Sequence, residues 1–142
     1  MQVIRSVIRT RIMCLELIAI PTDECRISAE ALSKVSGLTV TRESRTARGA
    51  FKFSREPSCS CSLLSDDADW NNPTWALEPE VLEGLAKAVE AMAERAKGLS
   101  FQAIWIGDRP ATRERVQLKQ WLRDIRGNAV KNKHVYLVGG AG

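Results

Sequence analysis

Residues 11–21 read Arg-Ile-Met-Cys-Leu-Glu-Leu-Ile-Ala-Ile-Pro, and this stretch decides the fold. In an extended strand its apolar side chains fall on both faces, with Met13, Leu15, Leu17 and Ala19 on one and Ile12, Cys14 and Ile18 on the other. A strand that is apolar on both faces is typical of the interior of a sheet. Glu16 is the polar exception, and Pro21 ends the strand because proline cannot donate to a sheet ladder. The sequence therefore predicts a central strand here.

Three stretches of the chain have the spacing and end signals of helices. Ser28 as N-cap and Gly37 as C-terminal stop predict a short helix over Ala29–Ser36. Pro79 opens the best-defined helix, whose apolar residues recur at helical spacing down to Ala96, before Gly98. A third amphipathic helix is marked by Leu118, Trp121, Leu122 and Ile125.

The remaining extended segments predict the other strands. They are Leu38–Thr41, Ala50–Arg55, Ser58–Leu64, Phe101–Ile106, Arg113–Val116 and His134–Val138. We expect the segments on either side of Pro57 to form an antiparallel pair, and Arg113–Val116 to return as a hairpin on the strand before it.

This element order predicts the α+β class. We expect a mixed, mostly antiparallel sheet of about five or six strands, with about three helices packed on one face. The core resembles a split βαβ arrangement with additions at its C-terminal end. Residues 1–142 are predicted to form a single domain, with residues 1–10 as a flexible arm or a short strand and 139–142 as a frayed tail.

Composition is that of a soluble globular protein, with 44% hydrophobic and 27% charged residues. No stretch is apolar over the roughly 18 residues that a membrane helix requires. The chain has four cysteines, which we expect to stay thiols in a reducing compartment, so a cytoplasmic location is predicted. Basic residues concentrate in residues 1–57 and 101–142 around an acidic middle, a pattern that serves an anionic partner or contacts within the fold. A homo-oligomer is an open alternative.

Cys59 and Cys61 suggest one catalytic hypothesis. Because they are two residues apart on a predicted strand, their side chains point to the same face. Together with His134 they would form the active site of a small thiol- or metal-dependent enzyme. Structural zinc requires four ligands, usually from closely spaced pairs, and no second close pair is present. The pattern therefore favours buried cysteines, and no metal site or cofactor is predicted. Glu16, on its apolar strand, is a further candidate acid or base because burial raises the pKa of a carboxyl group, and the alternative is an ion pair with an arginine near a strand end.

The polar loop before Pro79 holds two tryptophans, Trp70 and Trp75, with Asp69 beside the first. An aromatic side chain on a loop is a common anchor for recognition of a partner or ligand. The alternative is that both rings fold back over the open end of the core. The basic loop residues Arg42, Arg45 and Arg48 would extend the same recognition surface.

Arg48-Gly49-Ala50-Phe51-Lys52-Phe53 resembles a fragment of the strand by which RNA-recognition domains stack bases. It departs at Ala50, where an aromatic residue is expected, and the first strand offers no exposed ring. The pattern favours Phe51 and Phe53 as core residues, so nucleic-acid binding through residues 42–55 is only an alternative. The function predicted from the sequence is a small binding or interaction domain, with an unidentified protein or small ligand as its partner. Whether the chain is an enzyme stays open.

Overall fold

A computed structural model describes residues 15–22, 26–43, 49–55, 60–63, 77–105, 112–131 and 134–139 of the 142-residue chain. The strands are β1 (Leu15–Pro21), β2 (Thr39–Arg42), β3 (Phe51–Ser54), β4 (Gly98–Trp105), β5 (Thr112–Val116) and β6 (His134–Gly139). The helices are α1 (Ala29–Ser36), α2 (Pro79–Ala93), α3 (Leu118–Arg126) and a short 3₁₀ helix, Ser60–Leu63. The strands form one six-stranded sheet in the order β2-β3-β1-β4-β6-β5.

The strand β1 lies inside the sheet, between β3 and β4, as its two-sided apolar pattern predicted. The first four strands are antiparallel to their neighbours and, with α1 and α2, form the predicted split βαβ arrangement. The C-terminal addition is a parallel βαβ unit of β5, α3 and β6, in which β6 is antiparallel to β4. The predicted α+β class, with a mixed sheet and three helices on one face, is confirmed.

Between the sheet and the helices lies an aromatic core. Phe101 of β4 contacts Trp121 of α3 edge-on, with ring centroids 5.0 Å apart. Phe53 of β3 lies 6.3 Å from Phe101 on the same face of the sheet. Each such fully buried ring contributes about 1.5–3 kcal/mol relative to an exposed one. None of the described helices is long and apolar enough to cross a membrane.

The predicted helix ends are largely correct. Ser28 caps α1, since its side chain accepts a hydrogen bond from the Ala31 amide, and Gly37 follows with a left-handed φ of 71°. Pro79 is the first residue of α2. This helix ends at Ala93, three residues before the predicted end, and the chain turns directly into β4 at Gly98.

The predicted strand Ser58–Leu64 is wrong, because Ser60–Leu63 forms the 3₁₀ helix. The strand β3 already pairs with β2 on one side and β1 on the other, so neither of its edges is free for the expected third strand. Ser60 instead lies between β1 and β3. Its buried hydroxyl accepts a hydrogen bond from the Leu17 amide (2.9 Å) and donates one to the Phe53 carbonyl.

The predicted hairpin formed by Arg113–Val116 is also wrong. The strand β5 is separated from β4 by β6, with which it pairs in parallel. Val135, Tyr136 and Val138 make β6 apolar on both faces, and all three are buried. The apolar strand therefore takes the interior position, and the charged sequence Thr-Arg-Glu-Arg-Val takes the edge. At its end β6 extends one residue beyond the prediction, to Gly139.

Candidate functional site

Glu16 lies on the face of β1 that points away from the helices, near Lys52 of β3. Lys52 Nζ lies 3.7 Å from the carboxylate of Glu43, which directly follows β2. Partial burial raises the pKa of Glu16, the Glu43 charge raises it further, and Lys52 acts in the opposite direction. This is the direction expected from the sequence. The raised pKa favours the protonated form of Glu16, but no third acidic, histidine or cysteine side chain joins Glu16 and Glu43 to form a metal site among the described residues.

His134, at the start of β6, belongs to a polar group on the helix side of the sheet. Its Nε2 lies 3.7 Å from Glu114 Oε2, which is also 3.3 Å from Lys131 Nζ. The Tyr136 hydroxyl accepts a hydrogen bond from the Lys131 amide at 2.7 Å. Burial raises the pKa of Tyr136 to about 12, so its phenol stays neutral. Nδ1 of His134 is buried without a partner in the described part of the chain. The contacts of Lys131 with Glu114 and Tyr136 hold residue 131 against β5 and β6.

The thiol hypothesis remains untested by this arrangement. Cys59 lies outside the described residues, and only the backbone of Cys61 is described, within the 3₁₀ helix. The suggestion that either cysteine pairs with His134 stays a prediction.

The predicted recognition loop also lies largely outside the described residues, which do not include Asp69, Trp70, Trp75, Arg45 or Arg48. Arg42 is described, exposed at the end of β2, with its guanidinium 4.9 Å from the centre of the Phe51 ring. Phe51 and Phe53 are buried in the core, as the sequence favoured. These two rings are therefore not surfaces on which bases stack.

The outer edge of β5 was not among the predicted sites. Arg113 and Arg115 are both exposed and project from the same face, because alternate residues of a strand share a face. Neither makes an ion pair with a described residue. The β5 backbone makes no hydrogen bond to the described part of the chain beyond its ladder with β6. The alternating charges of Arg-Glu-Arg are the sequence pattern that indicates an exposed strand. The predicted hairpin with the preceding strand gave no indication that this strand lies at the edge of the sheet.

A cleft of about 440 Å³ opens where β5 and β6 end. Its accessible lining is largely apolar, with half-buried Val116 and Leu137 beside the buried Leu99 and Val138. Thr22, Arg115, Gln117 and Gly139 complete the lining. No sequence pattern predicted this cleft, because its walls come from strands distant in the chain and brought together by the order of the sheet.

Comparison with known proteins identifies no family for this chain. No protein-family model, curated protein or solved structure matches the chain.

Proposed function

We propose that this chain is a protein-interaction domain that binds an acidic, extended segment of another protein along β5. The exposed edge of β5, with Arg113 and Arg115 on one face, is the observation that carries the proposal. An extended peptide that adds to a sheet edge gains main-chain hydrogen bonds, and its alternate side chains supply specificity. Acidic side chains at alternate positions would lie opposite the two arginines.

A second copy of the chain is a poor occupant of this edge. In a continuous sheet, antiparallel pairing of two β5 strands keeps outward side chains on one face. In each register that overlaps most of the strand, Arg113 or Arg115 then faces an arginine of the other copy, or Glu114 faces Glu114. Like charges in directly opposite positions are destabilising. The charge pattern thus favours a partner of opposite charge.

Other predicted features belong to the same proposal. Trp70 and Trp75, with Arg45 and Arg48, stay predicted contributors to recognition. A cytoplasmic location is supported by the cysteine content. The homo-oligomer left open by the sequence would use a surface other than β5, and light scattering of the purified protein measures it.

The test uses an eight-residue peptide in which glutamate occupies every second position and threonine or valine the positions between. A matched control peptide has glutamine in place of each glutamate. We expect amide NMR shifts in β5 and tighter binding of the glutamate peptide. The double variant Arg113→Gln/Arg115→Gln should weaken its binding roughly tenfold, since an exposed ion pair contributes up to about 1 kcal/mol. The control Lys119→Gln/Arg123→Gln removes the same charge from exposed positions of α3 and should change little.

N-methylation of the peptide distinguishes strand addition from charge attraction alone. Methyl groups on alternate amides along one edge of the peptide should abolish binding, and on the other edge they should be tolerated. Equal effects of the two methylation patterns, or of the two double variants, would contradict the proposal. So would preferential binding of a single-stranded RNA oligonucleotide with steep salt dependence, which indicates a nucleic-acid interface.

A further inference from the structure

The cleft at the ends of β5 and β6 has the size and lining of a small-molecule site. Its volume of about 440 Å³ falls in the range of about 300–1,000 Å³ that is usual for ligand pockets. Half-buried Leu137 supplies apolar wall on the face of the sheet away from the helices, and half-buried Val116 adds to it at the end of β5, whereas Leu99 and Val138 are buried in the core and expose almost no surface. The cleft therefore lies mainly on that face, which Arg115, Leu137 and Gly139 share. Such mixed apolar walls suit the hydrocarbon or aromatic part of a ligand.

The polar groups of the cleft select the charge of that ligand. Arg115 supplies the one charged side chain among the described lining residues, and no lining residue is acidic. Gln117 is exposed and adds an amide donor. Thr22 donates its hydroxyl proton to the Gly98 carbonyl at 2.9 Å, which leaves its oxygen only as an acceptor. Glu114, the nearest carboxylate in sequence, is engaged with Lys131 and His134 on the opposite face of β5.

We propose that this cleft binds a small amphipathic carboxylate. Its apolar part lies against Leu137 and Val116, and its carboxylate accepts hydrogen bonds from the Arg115 guanidinium. Arg113 does not line the cleft. The site is thus separable from the peptide-binding edge, for which both arginines are required.

The probes for this site are 4-phenylbutyrate and its neutral analogue 4-phenylbutanamide, which differ only in the charged end. We expect 4-phenylbutyrate to shift the amide NMR signals of Leu99, Val138 and Gly139, and to bind more tightly than the amide. Arg115→Gln should weaken binding of the carboxylate about fivefold, the upper end for an exposed ion pair, and leave the amide unaffected. The control Arg113→Gln, on the same face of the same strand, should leave both affinities unchanged.

A second variant tests the cleft itself without the charge. Among the described residues, a Cβ atom at Gly139 would meet only the Val116 carbonyl oxygen, at 4.0 Å, so Gly139→Leu places a side chain in the cleft without a clash against the described backbone. We expect this variant to keep the melting temperature of the parent and to lose binding of both probes. Binding that survives Gly139→Leu, equal affinity for the two probes, or equal effects of Arg113→Gln and Arg115→Gln would overturn the proposal.

Discussion

The hydroxyl of Ser60 completes the junction between β1 and β3, and its removal is the sharpest test of the fold. The side chain is fully buried and joins the Leu17 amide to the Phe53 carbonyl. Ser60→Ala removes one oxygen atom and leaves both backbone groups without this partner. A buried polar group left unsatisfied costs about 1–3 kcal/mol. Because a carbonyl oxygen left unpaired is tolerated better than an amide, we expect a total loss of about 2–4 kcal/mol.

The measurement is urea unfolding, followed by circular dichroism and tryptophan fluorescence. Ser33→Ala is the matched control, since the Ser33 hydroxyl accepts a hydrogen bond from the Val40 amide at 2.9 Å. That bond lies at the outer edge of β2, where water can replace the hydroxyl, so a loss of only about 0.5–1.5 kcal/mol is expected. A Ser60→Ala protein within about 0.5 kcal/mol of the parent, or no less stable than Ser33→Ala, would show that the hydroxyl does not join the strands.

Three further outcomes follow from other contacts. In Gly84→Ala the new Cβ would clash with the Ser36 carbonyl of α1. The cost of this overpacking, about 1–3 kcal/mol, should outweigh the gain in helix propensity of about 1 kcal/mol, so we expect a less stable protein. A variant that is more stable in urea unfolding would contradict this packing. Glu16→Gln should stabilise the protein at neutral pH and lose this advantage as the pH falls from the raised folded-state pKa of Glu16 to the ordinary carboxyl pKa. The folded-state pKa of Glu16 is raised, so its ionisation destabilises the fold as the pH rises, and a pH-independent difference in unfolding free energy would count against it. Tyr136 is the single tyrosine of the chain, so phenolate absorbance reports its titration alone. In the folded protein this titration should give a pKa of about 12. A titration midpoint near that of free tyrosine, measured while the protein is still folded, would show that the ring is solvated.

The parts of the fold predicted correctly are those written in local patterns. Ser28 and Gly37 bracket α1 because capping depends on the few residues at a helix end. The strand β1 was recognised as interior because both its faces are apolar. The helix α3 was recognised because Trp121, Leu122 and Ile125 recur at helical spacing, and all three are buried.

The surroundings of the candidate site residues could not be predicted, for a physical reason. Glu16 was singled out because it is one carboxylate in an apolar strand, and its pKa is raised as expected, but its neighbours Glu43 and Lys52 come from other strands. The binding surface was placed at Trp70 and Trp75, outside the described residues. The position of Arg113 and Arg115 at a sheet edge was not predicted, because a strand's place in a sheet depends on the apolar content of the other strands that compete for the interior.

The sequence by itself determined the α+β class, the interior position of β1 and most of the helix ends. These features depend on periodicity and capping within a few residues of each other. Only the tertiary structure decided that Ser60–Leu63 is helical, that β6 separates β5 from β4, and that a cleft opens at the end of this pair. Each of these depends on which strand edges are already occupied, and that competition is between segments far apart in the chain.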